Sequence, residues 1–174
     1  MFKFPKLSQK FPTQGKVMFT GSFKYSVDNK NRISIPKKIR ELWEKEKFET
    51  FIIVPHTSEK CIVVYPDKIY IEILNFLNGL NPFDSEAAYL KRRMLEDVTA
   101  EKMDGQYRIR IPSEYLNRAN INNEVIILGQ ISYFEVWNPE EYEKYKSSFE
   151  LPLEEYMKKY LNAGPSFPHL SSGK

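Results

Sequence analysis

The chain has 174 residues, 41% of them hydrophobic and 14% aromatic, with a net charge of +3. That composition belongs to a globular protein and excludes a wholly disordered chain. One cysteine, Cys61, excludes an intrachain disulfide and fits a reducing cytosol; no Cys/His cluster has zinc spacing, and no apolar run approaches the ~20 residues that span a membrane.

The charge is unevenly placed. Residues 1–47 carry 12 Lys/Arg against 4 Asp/Glu, and residues 48–174 carry 14 against 19. A basic front on a near-neutral protein points to a polyanionic partner. The bland alternative is a solvated tail, since four of those lysines lie in residues 1–16. Residues 1–17 show neither periodicity nor an apolar signal core, so they are expected to be a disordered extension without secretory function.

From there the chain repeats itself. "FTGSFKYSV" reads as a strand, "DNKN" at 28–31 as a tight turn, and "RISIP" as a short strand with inward Ile and outward polar residues. "KKIRELWEKE" is a helix with Ile39, Leu42 and Trp43 on one face. Pro36 fits its start, where a missing N–H costs nothing. "TFIIVPHTSEKCIVVYP" reads as a hairpin and "PDKIYIEILNFLNGL" as a second helix. "DSEAAYLKRRMLED" is a linking helix with Asp84 or Ser85 as its N-cap. The pattern then restarts with "DVTAEKM", "DGQY", "RIRIP", "SEYLNRA", the hairpin "EVIILGQISYFEVWNP" and the helix "PEEYEKYKSSF". A last helix, "LEEYMKKYL", precedes a Pro/Gly/Ser-rich tail at 163–174 expected to be flexible. Each half is therefore β-β-α-β-β-α. The equivalence offset is 76 at Asp28 and Asp104, and falls to about 72 by the end of the hairpins, a difference assigned to loop length.

"DNKNRISIP" and "DGQYRIRIP" agree at five of nine positions: Asp, Arg, Ile, Ile and Pro. Asp at the head of a tight turn accepts backbone N–H groups two residues on. Each turn is expected to join two antiparallel strands as a hairpin, with Asp28–Arg32 and Asp104–Arg108 facing each other as ion pairs. Such a pair on a surface is worth only ~0–1 kcal/mol, little reason to keep it twice. A planar guanidinium suits phosphates and the guanine edge, and a two-stranded ribbon fits the major groove. Lys24, Lys30, Lys37, Lys38 and Arg40 surround the first copy, and Arg110 and Arg118 the second. Asn31 takes positive φ readily; Tyr107 does so less easily.

On "MFTGSFKYSVDNKNRISIPKKIR" at 18–40 and "MDGQYRIRIP" at 103–112 the chain resembles the MraZ family of bacterial transcriptional regulators. "YPDKIY", "LKRRML" and "FEVWNPEEYEKY" support the likeness, which covers roughly residues 18–145. The resemblance implies an α+β fold: two tandem swapped-hairpin (SpoVT-AbrB-like) β-β-α-β-β half-barrel repeats in a pseudo-twofold arrangement with additional helices, assembling into a ring oligomer. The repeats would be 22–69 and 98–141, with linking helices at 70–97 and a C-terminal helical segment at 142–162. The Asp-x-x-x-Arg loops would face double-stranded promoter DNA at direct repeats near the division and cell-wall genes. Carried over by position, the DNA-binding residues are Asp28, Lys30, Arg32, Asp104 and Arg108, with Lys24, Lys37, Lys38, Arg40 and Arg110 as backbone contacts. A cytoplasmic, nucleoid-associated protein with no cofactor, membrane or small-molecule substrate is implied. The family usually has Gly before the motif Arg. Asn31 can take that turn, whereas Tyr107 implies a changed loop shape or a base-stacking role. The family opens near its "MF-x-G" element, which makes Met18 an alternative start.

Other sites have weaker grounds. His56 and His169 lack ligand partners at metal spacing, Cys61 reads as a small core residue, and no Gly-rich phosphate loop or Ser/His/Asp set exists. "LKRRML" fits DNA or a subunit contact equally. Phe134, Trp137, Tyr142 and Tyr145 read as core or interface, and "NPEEYEKY" as a solvated face. The competing function is a non-catalytic protein-interaction scaffold whose basic surface is incidental.

Overall fold

The computed structural model describes residues 18–161. The expected extension at 1–17 and tail at 163–174 lie outside the described residues. In chain order the elements are β1 (Ser22–Ser26), β2 (Arg32–Ser34), α1 (Lys37–Lys45), β3 (Phe51–Pro55), β4 (Cys61–Pro66), α2 (Asp67–Asn78) and α3 (Ser85–Leu95). They continue with β5 (Thr99–Glu101), β6 (Arg108–Arg110), α4 (Ser113–Arg118), β7 (Glu124–Gly129), β8 (Phe134–Trp137), α5 (Pro139–Ser147) and α6 (Leu153–Leu161). This mixed α+β chain repeats its order of elements. Residues up to Pro139 form one unit, and those from Glu140 form another.

In the first unit the turns form as the sequence suggests, but the strands beside them part. Backbone N–H groups of Asp28 and Asn31 bond to Arg32 O and Asp28 O, both at 2.9 Å, and Asp104 and Tyr107 repeat the pattern at 2.8 and 2.9 Å. Yet β1 does not form a ladder with β2; a single Val27–Ile33 bridge joins them. Instead β1 pairs with β7, β5 pairs with β3, and β2 pairs with β6, all antiparallel. The expected local hairpins are thus corrected: each half lends its first strand to the other half's hairpin. Alternation told which face of each strand is buried. It carried no information about which strand lies alongside.

The six-stranded order β1-β7-β8-β4-β3-β5 reads the same from either end once equivalent strands are exchanged. Registers fix the equivalences. Tyr25 faces Val125 as Glu101 faces Phe51, so Phe51 and Val125 correspond at an offset of 74. Ile52 faces Tyr65 as Ile126 faces Trp137, which puts β4 and β8 at 72. Half of the drop therefore arises before β7, where α4 is shorter than α1, and half in the hairpin loop.

Alternate Ile residues of the small ribbon, Ile33, Ile35, Ile109 and Ile111, point into a core shared by both halves. Trp43 stacks on Phe51 at 3.7 Å, and Phe134 from the second half meets Phe51 edge-on at 6.4 Å. Ile39, Leu42 and Trp43 seal α1 onto this core. Phe134 and Trp137 are buried, as expected of core residues. At β7 the backbone of Phe19 and Thr20 passes so close to Gly129 that a Cβ there would lie 2.5 Å from it. Cys61 is buried, and that burial pushes its thiol pKa up.

The second unit holds most of α5, and α6. Tyr145 meets Phe149, and Phe149 meets Tyr156 of α6, both edge-on. Exposed pairs Lys146–Glu143 and Lys158–Glu155 line the helices. No described helix is long and apolar enough to cross a membrane.

Candidate functional site

The short ribbon β2–β6 sets the two Asp-x-x-x-Arg turns at its opposite ends, near enough for their charged side chains to meet across its centre. Ile33 lies directly opposite Ile109, with Arg32 opposite Arg110 and Ser34 opposite Arg108. Ile35 N donates to Tyr107 O at 2.9 Å, and Ile111 N donates to Asn31 O at 2.8 Å, so each loop is tied to the other half's strand.

Within each turn one carboxylate oxygen serves the backbone and the other serves the guanidinium. Asp28 Oδ1 accepts from the amides of Lys30 and Arg32, both at 2.9 Å. Its Oδ2 accepts from Arg32 Nε at 2.8 Å and lies 2.7 Å from Arg32 Nη2. Asp104 repeats this with the amides of Gln106 and Arg108, at 2.9 and 3.0 Å, and with Arg108 Nε and Nη2 at 3.0 and 2.8 Å. The sequence suggests these two pairs. It gives no sign of the cross pairs: Arg32 Nη1 lies 3.6 Å from Asp104 Oδ2, and Arg108 Nη1 lies 3.8 Å from Asp28 Oδ2. Four charges thus form one neutral quartet, its side chains 22–34% exposed. The hydrogen bond from the Arg32 side chain holds the Asp28 carboxyl far below the usual carboxylate range, and the one from Arg108 lowers that of Asp104. Backbone amides add to this, and partial desolvation opposes it.

Asn31 and Tyr107 both take left-handed φ, 59° and 62°. The bulkier Tyr107 therefore does not change the backbone of the second turn. What differs is its ring, which lies under the Arg40 guanidinium, 4.1 Å from carbon to centroid. Arg40 is partly buried, and its Nε is enclosed without a partner. The sequence set Arg40 around the first turn as a DNA-backbone contact; its side chain lies instead against Tyr107 of the second turn. The clue to its true neighbour was the odd tyrosine at a position that asks for Gly or Asn.

The other basic residues divide. Lys30 sits exposed at the tip of the first turn, and Arg110 is exposed on β6. Lys24 lies on β1, in the larger sheet. Lys37 lies 3.7 Å from Glu41, and Lys38 Nζ donates to Thr20 Oγ1 at 2.8 Å. These two lysines open α1, whose first turn holds no acidic residue; the first turns of α2 to α6 each hold one or more. Cations at a helix N-terminus oppose its dipole, and an approaching anion reverses that cost. Arg118 is paired with Asp97 at 2.6 Å. On α3, capped by Asp84, Arg93 pairs with Glu96. His56 Nδ1 accepts from the amides of Ser58 and Glu59, at 3.3 and 2.9 Å, and so braces its loop. Among the described residues no cluster of three or more His, Cys, Asp or Glu could hold a metal.

The family profile of MraZ, described as "MraZ protein, putative antitoxin-like", matches residues 18–93 and 94–162. The chain belongs to the MraZ family. Its two matched segments agree with the two repeats seen in the fold. Among similar proteins is the transcriptional regulator MraZ of Nitrosospira multiformis, 32% identical over 125 residues, or 72% of this chain and 84% of that one. The transcriptional regulator MraZ of Alkaliphilus oremlandii is 32% identical over 147 residues, covering 84% of this chain and 99% of the relative. That of Bacteroides fragilis is 30% identical over 146 residues, 82% of this chain and 92% of the relative.

Proposed function

We propose that this MraZ-family chain is a sequence-specific DNA-binding transcriptional regulator without catalytic activity. It binds direct repeats in the promoter of the division and cell-wall gene cluster as a ring of identical subunits, in the cytoplasm and on the nucleoid. In this reading it is a tandem swapped-hairpin protein, with repeats at 22–69 and 98–141 and Asp-x-x-x-Arg turns that face the DNA. The observation that carries the reading is the joining of two Asp–Arg turns into one edge, with Lys30 and Arg110 exposed beside them.

The quartet is neutral and adds no net charge. Its part is to fix the spacing and aim of two guanidinium forks, whose donors suit phosphate and guanine. Long-range attraction falls to Lys30, Arg110, Lys24 and the lysines that open α1. Self-association is supported by Ile71, Phe76, Phe83 and Tyr89 on and between α2 and α3, which are 52–96% exposed. Large apolar side chains this exposed are candidates for burial between subunits.

The test is binding to the DNA just upstream of the protein's own gene, against scrambled DNA of equal length, across a salt series. Wild type is expected to prefer the upstream DNA, and Arg32→Ala to lose that preference while keeping its subunit number. Arg32→Lys, which keeps the charge but not the fork, is expected to lose specificity and retain nonspecific binding. Equal, steeply salt-dependent binding to both DNAs would reduce the site to a basic surface. Binding to neither would favour the protein-interaction scaffold. Dissociation or unfolding of Arg32→Ala would make the motif purely structural.

A further inference from the structure

The ribbon that carries the quartet is symmetric at its centre and unlike at its ends. Positions 76 apart are equivalent here: Arg32 matches Arg108, Ile33 matches Ile109, and the cross-strand register maps onto itself under that exchange. Around this centre the matching positions differ. Lys30, at the tip of the first turn, corresponds to Gln106, and Arg110 corresponds to Ser34. Arg110 lies directly across from Arg32, beside the first turn, since the next residue, Ile111, bonds to Asn31 O. Two long cations therefore stand at the first-turn end, neither with a charged partner among the described residues. At the other end the same two places hold Gln106 and Ser34. There Tyr107 replaces Asn31, and Arg40, where the second half has Leu116, covers one face of its ring. Tyr107 still leaves 47% of its surface in solvent, on a loop whose backbone matches that of the first.

Like charges set directly across a ladder destabilise it, so the Arg110–Arg32 juxtaposition is a cost to the fold. Asp28 and Asp104 neutralise Arg32 but leave Arg110 uncompensated. A tyrosine at positive φ is a second such cost. Both costs fall on exposed residues at the rim of the one site that the fold's symmetry builds.

We propose that the reading edge is polar: Lys30 and Arg110 hold phosphate and read guanine at one end, and Tyr107, backed by Arg40, reads an apolar base face or thymine methyl at the other. This rests on the DNA-binding reading above. Cations at the first end pull on a polyanion and present donors to O6 and N7 of guanine. The aromatic end supplies stacking and apolar contact, which are insensitive to salt. Each subunit then binds duplex DNA in one orientation only, although the strands beneath are related by a twofold.

The experiment uses the full chain and the duplex from upstream of its gene, substituted one base pair at a time, including thymine to uracil. Lys30→Gln/Arg110→Ser gives the first end the residues of the second. Tyr107→Asn gives the second turn the residue of the first. Lys30→Gln alone is the milder control should the double variant lose thermal stability. Wild type is expected to be sensitive to guanine changes on one flank and to thymine→uracil on the other. The double variant should lower the log–log salt slope by about two, at ~0.9 for each phosphate contact, and flatten only the guanine flank. Lys30→Gln should lower the slope by about one. Tyr107→Asn should leave the slope unchanged and flatten only the thymine flank. An unchanged slope in the double variant overturns the proposal, as does loss of both flanks together in either variant. Wild type with no preference for the upstream duplex overturns the DNA-binding reading and this proposal with it. A wild-type preference that the variants leave intact overturns this proposal alone.

Discussion

Ile33→Ala and Ile109→Ala test whether the two halves share one core beneath the site. Both side chains are fully enclosed, and they lie opposite each other across the ribbon. Removing three carbons from such a site costs ~3 kcal/mol, combining lost transfer energy and the cavity left behind. That is a large part of the ~5–15 kcal/mol by which a domain is stable. The two cavities would adjoin, so the double variant should fall short of additivity by ~1 kcal/mol as the merged space partly collapses. One tryptophan lies in each half: Trp43 stacked on Phe51, and Trp137 donating to Glu135. Trp43→Phe and Trp137→Phe backgrounds therefore give one fluorescent reporter per half in urea unfolding. Each Ile→Ala change should move the midpoint of both reporters by the same amount. A change at Ile33 that moves the Trp43 transition and leaves the Trp137 transition in place would refute the shared core. So would strict additivity of the pair.

Acid should release the quartet. Asp28 and Asp104 have folded pKa values below the unfolded value, so the stability they lend is complete above about pH 4 and is lost as pH falls through the folded values. Thermal midpoints recorded from pH 7 to pH 2 should drop faster below pH 4 in wild type than in Asp28→Asn/Asp104→Asn; parallel curves would exclude that linkage. Gly129→Ala should cost ~1–3 kcal/mol, because the new Cβ meets main chain at Phe19 and Thr20 rather than a movable side chain. Faster amide exchange at Phe19 and Ile131, which bond to each other across this crossing, would confirm it, and an unchanged melting temperature would count against it. Ile71→Glu/Phe76→Glu on α2 should lower the mass measured by sedimentation without lowering helix content. An unchanged mass would clear those two residues of any part in assembly.

Much of this protein is decided by local chemistry, and so is legible in its sequence. The alternation of "RISIP" and "RIRIP" faces Ile33, Ile35, Ile109 and Ile111 inward whatever strand lies beside them. Prolines mark where α1, α2 and α4 begin, and the Asp84 side chain caps α3 through the amides of Glu86 and Ala87. The Asp-x-x-x-Arg spacing already closes a ring of bonds within five residues, so those two pairs form from local geometry alone. What the tertiary structure decided is everything that depends on partners distant in the chain. Strand pairing is set by which exposed backbone edges meet, and a side-chain pattern of period two is silent on that. Hence the exchange of β1 and β5 between halves, the cross pairs that merge two turns into one quartet, and the seat of Tyr107 under Arg40 arise only when residues 46 to 106 positions apart are packed together. Each half encodes its own turn. The edge made from two turns, and the difference between its ends, exists only in the folded pair.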